Sequence, residues 1–180
     1  MNRYTLLKQI IENYIDDHGF NVEIESNIKD TSYDKTNDTY LCEFGENFKV
    51  IDMDVIAKDV YGNIYKSGKT RSTADAFFVL EDGKWYFVEF KNTKIDTSSL
   101  KLRVQLKAYE NLHLLFDILL DMTEISRELG CIENPIDFIR KSQLTKKQYV
   151  PGFMEELNSS VFKESYLLTE KNFYREFIAE

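Results

Sequence analysis

Nothing in the sequence divides it. Two prolines and seven glycines are scattered through 180 residues without forming a linker, and no internal repeat or low-complexity tract is present. A single domain over residues 1–180 is the simplest organisation at this length. Long apolar runs are missing as well. The most apolar stretch, "LHLLFDILLDM", is broken by Asp117 and is far too short to span a bilayer. Lys8, Glu12 and Asp16 interrupt the opening "MNRYTLLKQIIENYIDD", so it does not read as a secretory signal. The expectation is a cytoplasmic protein with no membrane partner. Cysteine is scarce, and Cys42 and Cys131 have neither metal nor redox spacing, which predicts reduced structural thiols. His18 and His113 are isolated and receive no catalytic role. An excess of cations is also lacking: the net charge of −8 argues against a protein that coats nucleic acid through its overall field.

What is present is aromatic. Thirteen Phe and 11 Tyr within 43% hydrophobic residues mark a folded globular chain of α+β or mixed α/β class on a small sheet. Tyr4, Leu7, Ile11, Tyr14 and Ile15 predict an amphipathic helix over residues 4–18, stopped by Gly19. "FNVEIES" alternates like a strand, and Asp30 to Thr39 reads as a loop. In "ENFKVIDMDVIAKDVYGN" the first half alternates, while Asp52 can cap a short helix through Val60. Asp52 and Asp54 have no lysine or third ligand beside them, so a solvated face is expected there. Leu100, Val104, Ala108, Leu112, Leu115, Leu119 and Met122 predict one apolar stripe on a long helix over residues 100–122, with Ser98 or Ser99 as its cap. Beyond Gly130 the signals weaken to short helices near 135–142, 152–158 and 169–178 and a brief strand at "KQYV".

The strongest signal is the hairpin "STADAFFVLEDGKWYFVEFKN", whose arms flank "EDGK". Asp75, Glu89 and Lys91 are charged residues within strands otherwise built for a core. Residues i and i+2 of a strand share a face, so Glu89 and Lys91 point together and Phe90 points away. Whether Asp75 joins them depends on the turn. A two-residue loop at Asp82-Gly83 would put Asp75 opposite Phe90. A three-residue loop, Glu81-Asp82-Gly83, has Gly83 for the left-handed third position; it pairs Leu80 with Lys84 and sets Asp75 opposite Glu89.

Two carboxylates on one face suit a magnesium ion, which takes a few carboxylate oxygens and keeps several waters. Phosphodiester hydrolysis uses such an ion to activate water, and a nearby lysine can orient that water or stabilise the anionic transition state. The E-x-K spacing alone is weak, because Asp82-Gly83-Lys84 fits it too and lies in the turn. The following helix adds Lys101, Gln105 and Tyr109 as a polar seam at i, i+4 and i+8. Five cations, Lys91, Lys94, Lys101, Arg103 and Lys107, stand against one acid, Asp96, between residues 91 and 107.

In order, Asp75, thirteen residues, Glu89-Phe90-Lys91, thirteen residues and Gln105-Leu106-Lys107-Ala108-Tyr109 resemble the PD-(D/E)xK nuclease superfamily. The last element is similar to the Q-x-x-x-Y motif of its RecB-like branch. The resemblance covers roughly residues 70 to 115. It implies a restriction-endonuclease-like core, α-β-β-β-α-β, and a metal-dependent nuclease acting on nucleic acid, DNA ahead of RNA. It implies Mg²⁺ or Mn²⁺ held by Asp75, Glu89 and the backbone carbonyl of Phe90, with Lys91 assisting the attack of water. Gln105 and Tyr109 would support the site, and Lys94, Lys101, Arg103 and Lys107 would contact phosphates. Ala74 stands where the family's motif has proline. The acid often supplied by the first helix has two candidates, Glu12 and Glu43. The alternative is a catalytically inactive nuclease-like module that binds or inhibits a basic protein partner, which the acidic composition suits.

Overall fold

A computed structural model describes residues 2–65, 71–80, 84–92, 98–122 and 168–178. Helix α1 (Arg3–Asp17) starts where the Asn2 side chain accepts the Thr5 N–H at 2.7 Å, and ends before Gly19, whose φ of +77° breaks the helical path. It buries Leu7, Ile10, Ile11, Tyr14 and Ile15 along one stripe, with Tyr4 half-buried, close to the expected face.

After α1 come β1 (Glu25–Asn27), the short helix α2 (Ile28–Thr31), and a small hairpin of β2 (Tyr33–Asp34) and β3 (Thr39–Tyr40). The expected strand over "FNVEIES" is thus limited to its end, and the expected loop holds two short elements. Asn27 caps α2, and Asp34 accepts the Thr36 N–H and an Asn37 side-chain N–H; these polar side chains order a stretch that reads as loop because it has no apolar period. Strand β4 (Lys49–Asp52) passes directly into helix at Asp52, whose carboxylate accepts the Val55 N–H at 3.0 Å. The helix runs as α3 (Met53–Val55), a π-helical segment (Ile56–Tyr61) and α4 (Gly62–Ile64). Both halves of that ambiguous stretch keep their own character. Strands β5 (Ala76–Val79) and β6 (Trp85–Val88) follow, then the long helix α5 (Ser98–Asp121). Ser98 is the first residue of α5 and Ser99 the second. Helix α6 (Glu170–Phe173) continues as a π-helical segment (Tyr174–Ile178), in agreement with the helix expected over 169–178. The other expected elements beyond Gly130 lie outside the described residues.

The molecule is therefore mixed α/β. Its main sheet is antiparallel in the order β1-β4-β5-β6. All four residues of β5 are buried, because the sheet is covered on both faces. On one face Ile51, Phe77, Val79, Trp85 and Phe87 pack among residues of α1, the helical stretch 53–64 and α5. On the other, Val50, Ala76, Phe78, Tyr86 and Val88 meet Ile28, Cys42 and the C-terminal helix. A strand buried on both sides reads as a continuous apolar run, which is what "AFFV" is. No helix among the described residues is long and apolar enough to cross a membrane.

In α5 the buried apolar positions are Leu114, Leu115, Ile118 and Leu119, with Met122 just past its end, while Val104, Ala108 and Leu112 are only half-buried. The expected stripe is right in its C-terminal half and is joined there by Leu114 and Ile118. The N-terminal half extends over the open ends of β5 and β6, where polar groups gather.

Gly45 adopts φ +88°, and a Cβ there would lie 3.0 Å from the Ile28 Cβ and 3.1 Å from the Ile178 Cδ1. The glycine lets the C-terminal helix close on α2. Gly45→Ala should lower stability by about 1–3 kcal/mol, from the left-handed backbone and the displaced contacts together, as measured by urea unfolding.

Candidate active site

The hairpin register is the one that brings the acids together. Val79 pairs with Trp85, Phe78 with Tyr86, Phe77 with Phe87 and Ala76 with Val88, and the Leu80 N–H donates to the Lys84 carbonyl at 3.1 Å. Residues 81–83 lie outside the described residues, but this pairing leaves three residues between Leu80 and Lys84. Phe77 and Val79 face the α1–α5 side, as do Trp85 and Phe87, and the same parity carries Asp75, Glu89 and Lys91 to that side. Phe90 packs in the opposite core, its ring centroid 6.3 Å from that of Phe173.

At the end of the ladder Asp75 clasps β6. Its N–H donates to the Val88 carbonyl at 3.0 Å, and its Oδ2 accepts the Phe90 N–H at 2.7 Å. Glu89 is held between these two contacts. Its carboxylate is nearly enclosed, with 14% of the side chain exposed. Lys107 Nζ lies 2.7 Å from both Glu89 oxygens, and Lys91 is ion-paired to the Oε1 of the same carboxylate. Burial, then the adjacent Glu89 charge, pushes the Asp75 carboxyl up to about 7, against the opposing pull of the Phe90 N–H, Lys107 and Lys91. Two carboxylates and two ammonium groups thus share one largely dry corner.

The segment leading to Asp75 is braced by polar groups that carry no motif. Asn111 is fully buried in α5. Its Oδ1 accepts the Ala74 N–H at 3.0 Å, and its Nδ2 donates to the Lys107 carbonyl at 2.6 Å. Glu110 accepts the Ser72 N–H, and Asp54 accepts the Thr73 hydroxyl at 2.9 Å while pairing with Lys58. Asp52 is half-buried and Asp54 holds the approach to Asp75, so this pair is structural rather than the solvated face expected. Sequence reasoning missed Asn111; the only signal was an asparagine interrupting the apolar side of a helix.

A cleft of about 450 Å³ opens beside the acids, lined by Ser72, Lys91, Arg103, Val104, Leu106, Lys107 and Glu110. Arg103 is exposed along it, whereas Lys107 is turned onto Glu89. Gln105 is half-buried on α5 and Tyr109 is 39% exposed one turn further on. Lys94 and the side chain of Lys101 lie outside the described residues. Neither candidate for a third acid joins the pair. Glu12 is bridged to Lys8 on the surface of α1, and the exposed Glu43 has its N–H bound to Glu170. Among the described residues no three His, Cys, Asp or Glu side chains form a metal-holding group. Two adjacent carboxylates still fit magnesium or manganese, since Mg²⁺ is commonly bound through one or two carboxylates and retained waters.

An acid whose folded-state pKa is raised destabilises the fold once it ionises. For Asp75 the penalty is absent below its ordinary value of 3.8, grows as pH rises, and is complete above about 7. Asp75→Asn keeps an acceptor for the Phe90 N–H, so it should unfold at higher urea than the native chain at about pH 8 and lose that advantage near pH 3.5. Asn111→Leu should cost about 1–3 kcal/mol in the same assay, because the buried Ala74 N–H loses its acceptor.

No family model matches the chain, and no similar curated protein or solved structure is found.

Proposed function

We propose that the chain is a metal-dependent nuclease that hydrolyses phosphodiester bonds, built on a restriction-endonuclease-like core. One observation carries the reading: Asp75, Glu89 and Lys91 converge on one side of the sheet edge, beside a cleft whose helical wall presents Arg103 and Lys107. The succession α1, β4–β5–β6, α5 supports the core. Strand β1 and the helical stretch 53–64 are additions to it, and the strand expected after α5 falls outside the described residues.

Asp75, Glu89 and the Phe90 carbonyl would hold Mg²⁺ or Mn²⁺, which when bound supplies an activated water and a counter-charge for the phosphate. The chain's own groups do the positioning. Asp75 fixes the backbone on either side of Glu89 through Val88 and Phe90, so the two carboxylates keep one spacing. Lys91 is anchored on Glu89 and lines the cleft, where its ammonium can orient the attacking water and stabilise charge gathering on the phosphoryl oxygens. Arg103 is placed to grip a neighbouring phosphate. Local cations suffice despite the negative overall charge, because screening confines charge effects to about 10 Å.

Purified protein with Mn²⁺ should cleave at least one of single-stranded DNA, double-stranded DNA or RNA. Lys91→Ala should slow cleavage by roughly 10²-fold or more while leaving Mn²⁺ affinity largely intact, and Glu89→Gln should abolish Mn²⁺ binding by calorimetry. Cleavage that persists unchanged in Lys91→Ala rejects the mechanism. No cleavage of any substrate, with no Mn²⁺ bound, favours a nuclease-like module that binds a partner instead.

A further inference from the structure

Lys107 is the unexpected member of the site. Its place on a cationic stretch of α5 suggests an open phosphate contact, yet its ammonium sits at 2.7 Å from both oxygens of Glu89, with only 20% of the side chain exposed. An ammonium seated between both oxygens of a carboxylate stands where a divalent cation would bind and repels it. Lys91 holds one of those oxygens as well, so a single glutamate carries two ammonium groups. This is how a corner built for a doubly charged ion would be neutralised without one.

Resting on the metal-site reading, we infer that Lys107 is a tethered stand-in for the metal. It occupies Glu89 when no divalent ion is bound, and a divalent ion must displace it to reach the carboxylate. The geometry allows the exchange. The Lys107 carbonyl is fixed by Asn111, so the backbone stays in place, while the four-carbon side chain also lines the cleft. Once off Glu89, the ammonium turns into the cleft beside Arg103, where it meets the phosphate of a bound strand. Metal and polyanion then favour each other's binding through one side chain, and by linkage the effect is reciprocal. Lys91 is paired to Oε1, whereas Lys107 spans both oxygens and so covers the whole carboxylate.

The test is Mn²⁺ binding to the full chain by calorimetry, with no nucleic acid present. Lys107→Met keeps the length and packing of the side chain but removes the charge, and should tighten Mn²⁺ binding by about tenfold, the factor expected if Glu89 is open in roughly a tenth of molecules. Lys107→Arg retains a cation able to grip both oxygens and should stay as weak as the native chain. Lys49→Met, which takes the same charge from the Glu25 pair, should leave Mn²⁺ affinity unchanged. If Lys107→Met unfolds, Lys107→Gln replaces it. Unchanged or weaker Mn²⁺ binding by the uncharged variants overturns the role given to Lys107 and leaves the metal site standing. If neither the native chain nor any Lys107 variant binds Mn²⁺, the metal site itself falls, and the inference with it.

Discussion

A side chain at the N-terminal end of β5 has little water to turn to, because the strand is covered on both faces by apolar side chains. Asp75 is the residue just before the strand, and its environment is set by that burial. It meets its needs locally, donating its N–H to Val88 and accepting the Phe90 N–H. Those contacts fix the end of β6, and with it the direction of Glu89 and Lys91. The site thus depends on a strand that has no freedom to slip: a shift of one residue would move Phe77 and Phe78 into each other's cores.

Placing a second carboxylate beside Asp75 adds like-charge repulsion to desolvation. The fold answers with cations drawn from two elements, Lys91 from the strand end and Lys107 from α5, and braces the approach with the buried Asn111. Removing one partner from such a buried cluster generally costs more than the pair contributes, because the remaining charge is stranded. The arrangement is therefore poor as a stabilising device. Anionic oxygens held in a dry corner are what the proposed metal site would require.

Much of this was legible in the residues because it rests on short-range rules. The alternation of "AFFVL" and "WYFVEFK", with Gly83 available at the third turn position, narrows the hairpin to two registers, one of which the strands adopt. The amphipathic stripe of α1 and the Asp52 cap followed from spacing and cap chemistry alone. The β2–β3 hairpin was read as loop, because its order comes from Asx-type hydrogen bonds and not from an apolar period. The stripe on α5 is only half-buried at Val104, Ala108 and Leu112, because the same residue types are core or surface according to where the sheet ends.

The sequence by itself determined the two arms of the β5–β6 hairpin and the shared face of Glu89 and Lys91, since backbone geometry fixes these over a few residues. It left two turn lengths open, and the pairing of Leu80 with Lys84 in the structure decided that Asp75 joins them. Only the tertiary structure decided which cation reaches which acid. Lys107 lies eighteen positions from Glu89 and Asn111 thirty-seven from Ala74. Contacts at such separations depend on how α5 is laid across the sheet, which is fixed by burying Leu114, Ile118 and Leu119 and is written in no local motif. That packing turned a residue expected to face phosphate into one that grips Glu89.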